Sequence, residues 1–211
     1  CGNGLTGLLC PGGIASEQLL LTRHDLWHQV GRAPLPDISH TLAQARSAID
    51  RGDWKTGNEI ACQALQQAGY EGKLGFPCPL GGLTLTLDCP APFSHYRRSL
   101  WMDTGEVKMK WRQQGAEFAR RQFVSRACDL AVLEQTCSAQ LLSGSVRLGL
   151  YQDGTPATQE KRRQVGDTLR VWQEAGRLCY QARNDDGLWF GAVLEADCDG
   201  QRSFEQDSLF F

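Results

Sequence analysis

From Gly81 to Glu195 the sequence falls into short segments that alternate apolar and polar residues, separated by turn signals. Leu83–Leu87 (LTLTL) alternates without a break. Tyr96–Met102, Glu106–Arg112, Ala116–Arg126, Leu130–Ser138, Val146–Gln152, Thr168–Gln173, Arg177–Arg183 and Leu188–Glu195 follow. Turn chemistry falls between them at Asp103-Thr104-Gly105, Gln113-Gln114-Gly115, Ser143-Gly144, Asp153-Gly154, Ala175-Gly176 and Asp185-Asp186-Gly187. Side chains two residues apart share a strand face, so each segment has an apolar face to bury against another sheet. Many short strands joined by tight turns predict a mainly β fold, a large antiparallel β-sandwich. No βαβ alternation occurs, which argues against a parallel sheet.

The opening stretch, Cys1–Trp27, has the same texture with more glycine: Gly2, Gly4, Gly7, Gly12 and Gly13. Gly2-Asn3-Gly4 and Gly12-Gly13 read as tight turns, and Leu5–Cys10 with Gln18–Thr22 as a hairpin. Such turn glycines leave room for another backbone or a ligand to approach closely. No helix follows the Gly-Asn-Gly start, as a dinucleotide-binding loop would require. The only helical signals lie between. Ser39 reads as the cap of a helix from about His40 to Arg51, stopped by Gly52, and Asp53 as the cap of a second to about Ala68, stopped by Gly69. This αα-hairpin, about residues 39–69, has no copy elsewhere and is an insertion in a β protein.

Six Trp and a hydrophobic content of 41% over 211 residues suffice for a substantial core. A net charge of −2 gives no reason to expect nucleic acid or an anionic membrane as partner. No apolar run approaches the roughly 20 residues of a bilayer span. Nine cysteines without a C-x-x-C read as reduced, small core hydrophobes and favour a cytoplasmic protein. The Cys1 start and the apolar Ser208–Phe211 end, which looks like a strand start without its turn, suggest a piece of a longer chain.

Two blocks carry a family resemblance. Gly2, Asn3, Gly4, Gly7, Gly12, Gly13, Leu21, Leu26 and Trp27 match the GNGxxG, small-residue turn and LNxDxLW segments that open the N-terminal β-domain of glycoside hydrolase family 95, the α-L-fucosidase/α-L-galactosidase family. Thr22 stands where that family usually has Asn, and His24 where it has Asp. Tyr96–Gly105 (YRRSLWMDTG) is similar to the family's YRRxLDLxT segment, continued by Val107, Gly115, Phe118, Arg121, Phe123, Ser125 and Asp129. Cys78–Leu83 stands where the family has PLGDLxL, with Gly82 in place of Asp. The likeness spans residue 2 to about 140, and the family's domain is related to the N-terminal domain of glycoside hydrolase family 65.

The resemblance implies a supersandwich-type domain, residues 1–211, preceding an (α/α)6 barrel that holds the catalytic groups of an inverting hydrolase. It therefore carries over no catalytic residue, and implies the barrel of the same parent chain as partner. The remaining site candidates are Asn3 and the segment Arg23, His24, Asp25, Leu26, Trp27 and His28. There an aromatic face can stack on a sugar while His, Arg and Asp bond hydroxyls, or the segment packs against the barrel. A stand-alone oligosaccharide-binding module or a protein-interaction domain are the alternative readings. Asp185-Asp186 and Asp197/Asp199 sit beside glycines and read as turn residues, and His24 and His28 lack a third metal ligand. No cofactor and no metal are called for. Arg97-Arg98 and Arg120-Arg121 put one cation on each strand face, so one of each pair is expected to be buried against an acid of a neighbouring strand.

Overall fold

A computed structural model describes residues 1–28, 34–70, 76–89, 91–138, 142–152, 154–155, 158–159, 165–184 and 186–211, with no account of the side chains of residues 27, 28, 76 and 77. The chain divides into two compact units, Cys1–His28 with Pro77–Phe211, and Gln29–Phe76.

The larger unit is built from antiparallel sheets, and its fold class is the one the alternating segments predict. One six-stranded sheet has the order β1 (Thr6–Leu9), β2 (Ser16–His28), β3 (Phe76–Leu87), β8 (Gly144–Gly149), β13 (Ser208–Phe210), β12 (Ser203–Glu205). A four-stranded meander runs β4 (Phe93–Trp101), β5 (Glu106–Gln113), β6 (Ala116–Val124), β7 (Ala131–Cys137). A third sheet orders β9 (Arg170–Glu174), β10 (Arg177–Arg183) and β11 (Trp189–Leu194) as β11-β10-β9. The Gln114-Gly115 and Ala175-Gly176 turns have positive φ at both residues, 51° with 79° and 49° with 74°, the twist that a two-residue hairpin needs.

Two apolar clusters join the layers. Leu8, Leu19, Leu80, Leu178, Tyr180 and Phe190 belong to the larger, and Leu85, Leu87, Met109, Trp111 and Phe118 to the smaller. Trp111 and Phe118 lie opposite each other on β5 and β6 and stack at 5.3 Å. Cys10, Cys78 and Cys89 are buried among these residues, Cys179 is buried outside both clusters, and no two of the nine cysteines are bonded. Burial pushes the Cys10 thiol up to about 11, consistent with a packing role. Among the described residues no helix is long and apolar enough to cross a membrane.

Between the sheets sits an ion pair with no solvent access to either side chain: Arg120 Nη1 donates to Glu17 Oε2 at 2.8 Å. Arg120 also donates to Gly13 O (2.6 Å), Ile14 O (3.0 Å) and Gln135 Oε1 (2.8 Å), and lies 5.3 Å from the Trp111 ring centroid. The other Glu17 oxygen accepts the Gly12 amide at 2.9 Å. Arg121, on the other face, bonds Glu106 of β5 and Glu134 of β7. Its guanidinium, followed by the Lys108 ammonium, holds the Glu106 carboxyl down at about 2. The expectation for Arg120-Arg121 thus holds for burial and pairing, but the acid that meets the buried Arg120 comes from β2 across the sandwich and not from a neighbouring strand. It fails for Arg97-Arg98, both exposed because β4 is an edge strand.

Other differences are local. Ser39 is the first residue of α1 (Ser39–Asp50) rather than its cap: Ile38 holds the N-cap position without a side-chain cap, and Asp37 just before it accepts the Ser39 amide at 2.9 Å. Asp53 caps α2 (Trp54–Gln67) as expected, accepting Thr56 N at 3.1 Å. Gly57 lets α2 approach α1, since a Cβ there would lie 2.6 Å from Ile49 Cγ1. Gly144 opens β8 rather than turning. The Ser208–Phe211 run supplies β13, which follows β12 in a hairpin and pairs with β8. Asp153 and Asp185, expected in turns, lie outside the described residues.

Removing either partner of the buried pair leaves the other charge stranded. Glu17→Met and Arg120→Met are each expected to cost about 3–5 kcal/mol in urea unfolding followed by Trp fluorescence. The double variant is expected to recover most of that loss. Single losses that simply add in the double variant would show that the two side chains are not coupled.

Candidate functional site

Arg23, His24 and Asp25 lie in the second half of β2, held by the β1 hairpin through the Thr6–Arg23 pairing and by the His24 amide donating to Leu5 O at 2.9 Å. Arg23 and Asp25 share a strand face. The Arg23 guanidinium grips the Asp25 carboxylate as a fork, Nε to Oδ1 and Nη2 to Oδ2, both at 3.0 Å. Its remaining nitrogen, Nη1, donates to Asp129 in the β6–β7 connection, and the other Asp129 oxygen accepts the Thr6 hydroxyl. The fork holds the Asp25 carboxyl below the usual carboxylate range, and Asp25 in turn raises the proton affinity of Arg23. His24 is exposed.

Asn3 joins the same network from the turn side. Its Oδ1 accepts the amides of Leu5 (2.9 Å) and Thr6 (2.8 Å), and its Nδ2 donates to Ser125 O at 2.8 Å. This is an Asx turn that ties the chain's opening to the end of β6. Gly7 faces Thr22, whose Oγ1 would lie 2.5 Å from a Cβ, so the hairpin glycines admit the chain's own neighbouring groups. Trp27 and His28 contribute backbone to β2, and their side chains lie outside the described residues.

A depression of about 310 Å³ opens beside Arg23 and Asp25. Leu26, Leu80 and Phe190, all buried, form its apolar base, and Leu188, Trp189 and Gly191 complete the lining. Trp189 is 51% exposed and Leu188 42%, so both present surface. The described residues that precede them are held by local bonds. Gly187 takes φ +90°, its amide donates to Asn184 O at 3.0 Å, and Asp186 accepts the Leu188 amide at 3.0 Å. Arg183 donates to Gly187 O at 3.1 Å and lies 5.7 Å from the Trp189 ring centroid. At Gly191 a Cβ would fall 2.2 Å from Tyr180 O, so a side chain there would push β11 off β10.

The structure therefore brings Arg23 and Asp25 to one rim and links Asn3 to them through Thr6 and Asp129. Sequence reasoning did not single out Asp129, Leu188 or Trp189 as parts of this place. The one local signal was an aromatic two residues after an Asp-Gly turn. Trp189 is half exposed, as a sheet-surface residue is. Among the described residues, no group of three or more His, Cys, Asp or Glu is placed to hold a metal ion. Asp25, Asp37, Asp53, Glu106 and Glu117 all have lowered carboxyl proton affinities, each led by hydrogen bonds to the anion.

Residues 1–210 match the family model described as glycosyl hydrolase family 65, N-terminal domain. No curated protein matches the chain.

The Asp25 carboxyl is lowered in the fold, so its contribution to stability is complete above the ordinary carboxylate value of about 3.9 and is lost as pH falls through the lowered one. An NMR titration of the Asp25 side-chain carboxyl is expected to show a midpoint below that value. In Arg23→Gln the midpoint is expected to move back towards it. A midpoint unmoved by Arg23→Gln would deny the fork its role.

Proposed function

Because the chain belongs to the glycosyl hydrolase family 65 N-terminal domain family, we propose that it is the non-catalytic N-terminal domain of a fucosidase-like glycoside hydrolase. In this reading it packs against a downstream (α/α)6-barrel catalytic domain and helps shape its site. The observation that carries the reading is the family match across residues 1–210. The Gly2–Gly7 opening and the Tyr96–Gly105 run, similar to family 95 segments, support the fucosidase-like branch.

The carboxylate chemistry supports a non-catalytic role. Inverting hydrolysis needs one carboxylic acid kept protonated to serve the leaving oxygen, and a second carboxylate roughly 6.5–9.5 Å away as base. In the depression, Asp25 is held as the anion by Arg23 and so is unsuited to donate a proton. Its partner Asp129 serves Thr6 and Arg23. Nine unbonded thiols favour a cytoplasmic parent protein.

The purified chain is expected to show no hydrolysis of an aryl α-L-fucoside above the buffer rate, and turnover by it would overturn the reading. Sequencing the parent reading frame past Phe211 is expected to reveal a helical region with clustered Asn, Glu and Asp. A stop codon directly after Phe211 would remove the barrel partner.

A further inference from the structure

We propose that the depression between β2 and the β10–β11 hairpin is a binding site for one neutral saccharide unit. The inference goes beyond the packing role above and rests on the chemistry of the depression alone.

Its volume, about 310 Å³, is at the small end of the roughly 300–1,000 Å³ range of small-molecule sites. Leu26, Leu80 and Phe190 make an apolar base, so the ligand needs an apolar face. Trp189 adds a half-exposed indole held from within the chain by Arg183. A flat aromatic surface fixed in advance costs little ordering when a C–H face settles on it. The rim supplies the opposite chemistry. Asp25 keeps a half-exposed carboxylate, and the Arg23 fork fixes where that carboxylate points.

Charge narrows the class. A cation would meet Arg23, and an anion would meet Asp25, backed by Asp129. Three of the five guanidinium N–H bonds are committed, two to Asp25 and one to Asp129, so two carboxylates already match its charge. It therefore offers a phosphate or carboxylate ligand little net attraction. A molecule with an apolar ring face, hydroxyl donors at its edge and no net charge satisfies every wall. A pyranose has those properties. Trp101, the comparable half-exposed indole on β4, lacks this setting, because it lines no part of the depression.

The test is a titration of the full ¹⁵N-labelled chain with methyl α-L-fucopyranoside, methyl α-D-galactopyranoside and methyl α-D-glucopyranoside. The anionic methyl glucuronoside serves as comparison. At least one neutral glycoside is expected to shift the Trp189 indole resonance saturably, with a dissociation constant in the millimolar range. Trp189→Ala is expected to weaken binding about tenfold or more, Asp25→Asn to weaken it as well, and Trp101→Ala to leave it unchanged. Trp189→Phe, which keeps a ring, is expected to retain most of the affinity. No saturable shift with any neutral glycoside overturns the site. So does affinity unaffected by Trp189→Ala in a chain whose spectrum shows it folded, or a glucuronoside that binds as tightly as its neutral counterpart. None of those results touches the non-catalytic reading, which stands or falls on turnover and on the downstream frame.

Discussion

The larger unit depends on the ion pair of Glu17 and Arg120, because both charges are sealed between sheets and neither can return to water. Desolvating two such ions costs several kcal/mol each, and their mutual attraction repays this only when every donor and lone pair is met. Here the partners come from three places: the Gly13 and Ile14 carbonyls of the first hairpin turn, Gln135 on β7, and the ring of Trp111 on β5. The pair can be satisfied only when the turn, the β5–β6–β7 register and the approach of the two sheets are all correct. That makes it a device for uniqueness more than for net stability, the role best argued for buried charge.

The glycines of the opening turn follow from this requirement. Gly12 adopts φ +97°, and a Cβ on Gly13 would lie 1.9 Å from Ser16 O, so the turn is tight enough to aim two successive carbonyls at one guanidinium. Tyr96 secures the same turn from β4 by donating to Gly12 O at 2.9 Å, and Arg98 donates to Cys10 O. Tyr96 and Arg98 of the edge strand thus serve the turn rather than the core. Arg98 meets a backbone carbonyl where strand alternation alone called for an acid.

What could be read in advance was what alternation and turn chemistry encode locally. β5 and β10 fall where LWMDTGEVKMKW and AGRLCYQAR place them, because a period of two bounded by glycine turns is sufficient information. The three-residue strands β12 and β13 are too short for a period to show, and exist because β8 offers a free edge. Gly144 looks like a turn residue in isolation. Its place in β8 is set by Thr86, whose carbonyl would lie 2.2 Å from a Cβ, a contact 58 positions distant in the chain. The site divides in the same way. Arg23 and Asp25 are neighbours in sequence and their sharing of a face follows from the strand. Asp129 and Trp189 reach them only through the packing of three sheets.

Asp129 joins the two parts of the structure that the sequence presents separately. One of its oxygens takes the Thr6 hydroxyl, inside the turn that Asn3 organises, and the other takes Arg23 at the rim of the depression. Asn3 is therefore a positioning residue for the rim: it sets Thr6, Thr6 helps set Asp129, and Asp129 with Asp25 sets the guanidinium. An arginine with three fixed nitrogens cannot swing into the depression or out to solvent without breaking charged bonds. The glycine-asparagine opening, which in sequence read as room for another backbone or a ligand, admits the chain's own neighbouring groups and acts on the rim only through Thr6 and Asp129. It gives a surface strand the rigidity that a half-open site needs if the weak forces of an indole face and a few hydroxyl bonds are to discriminate.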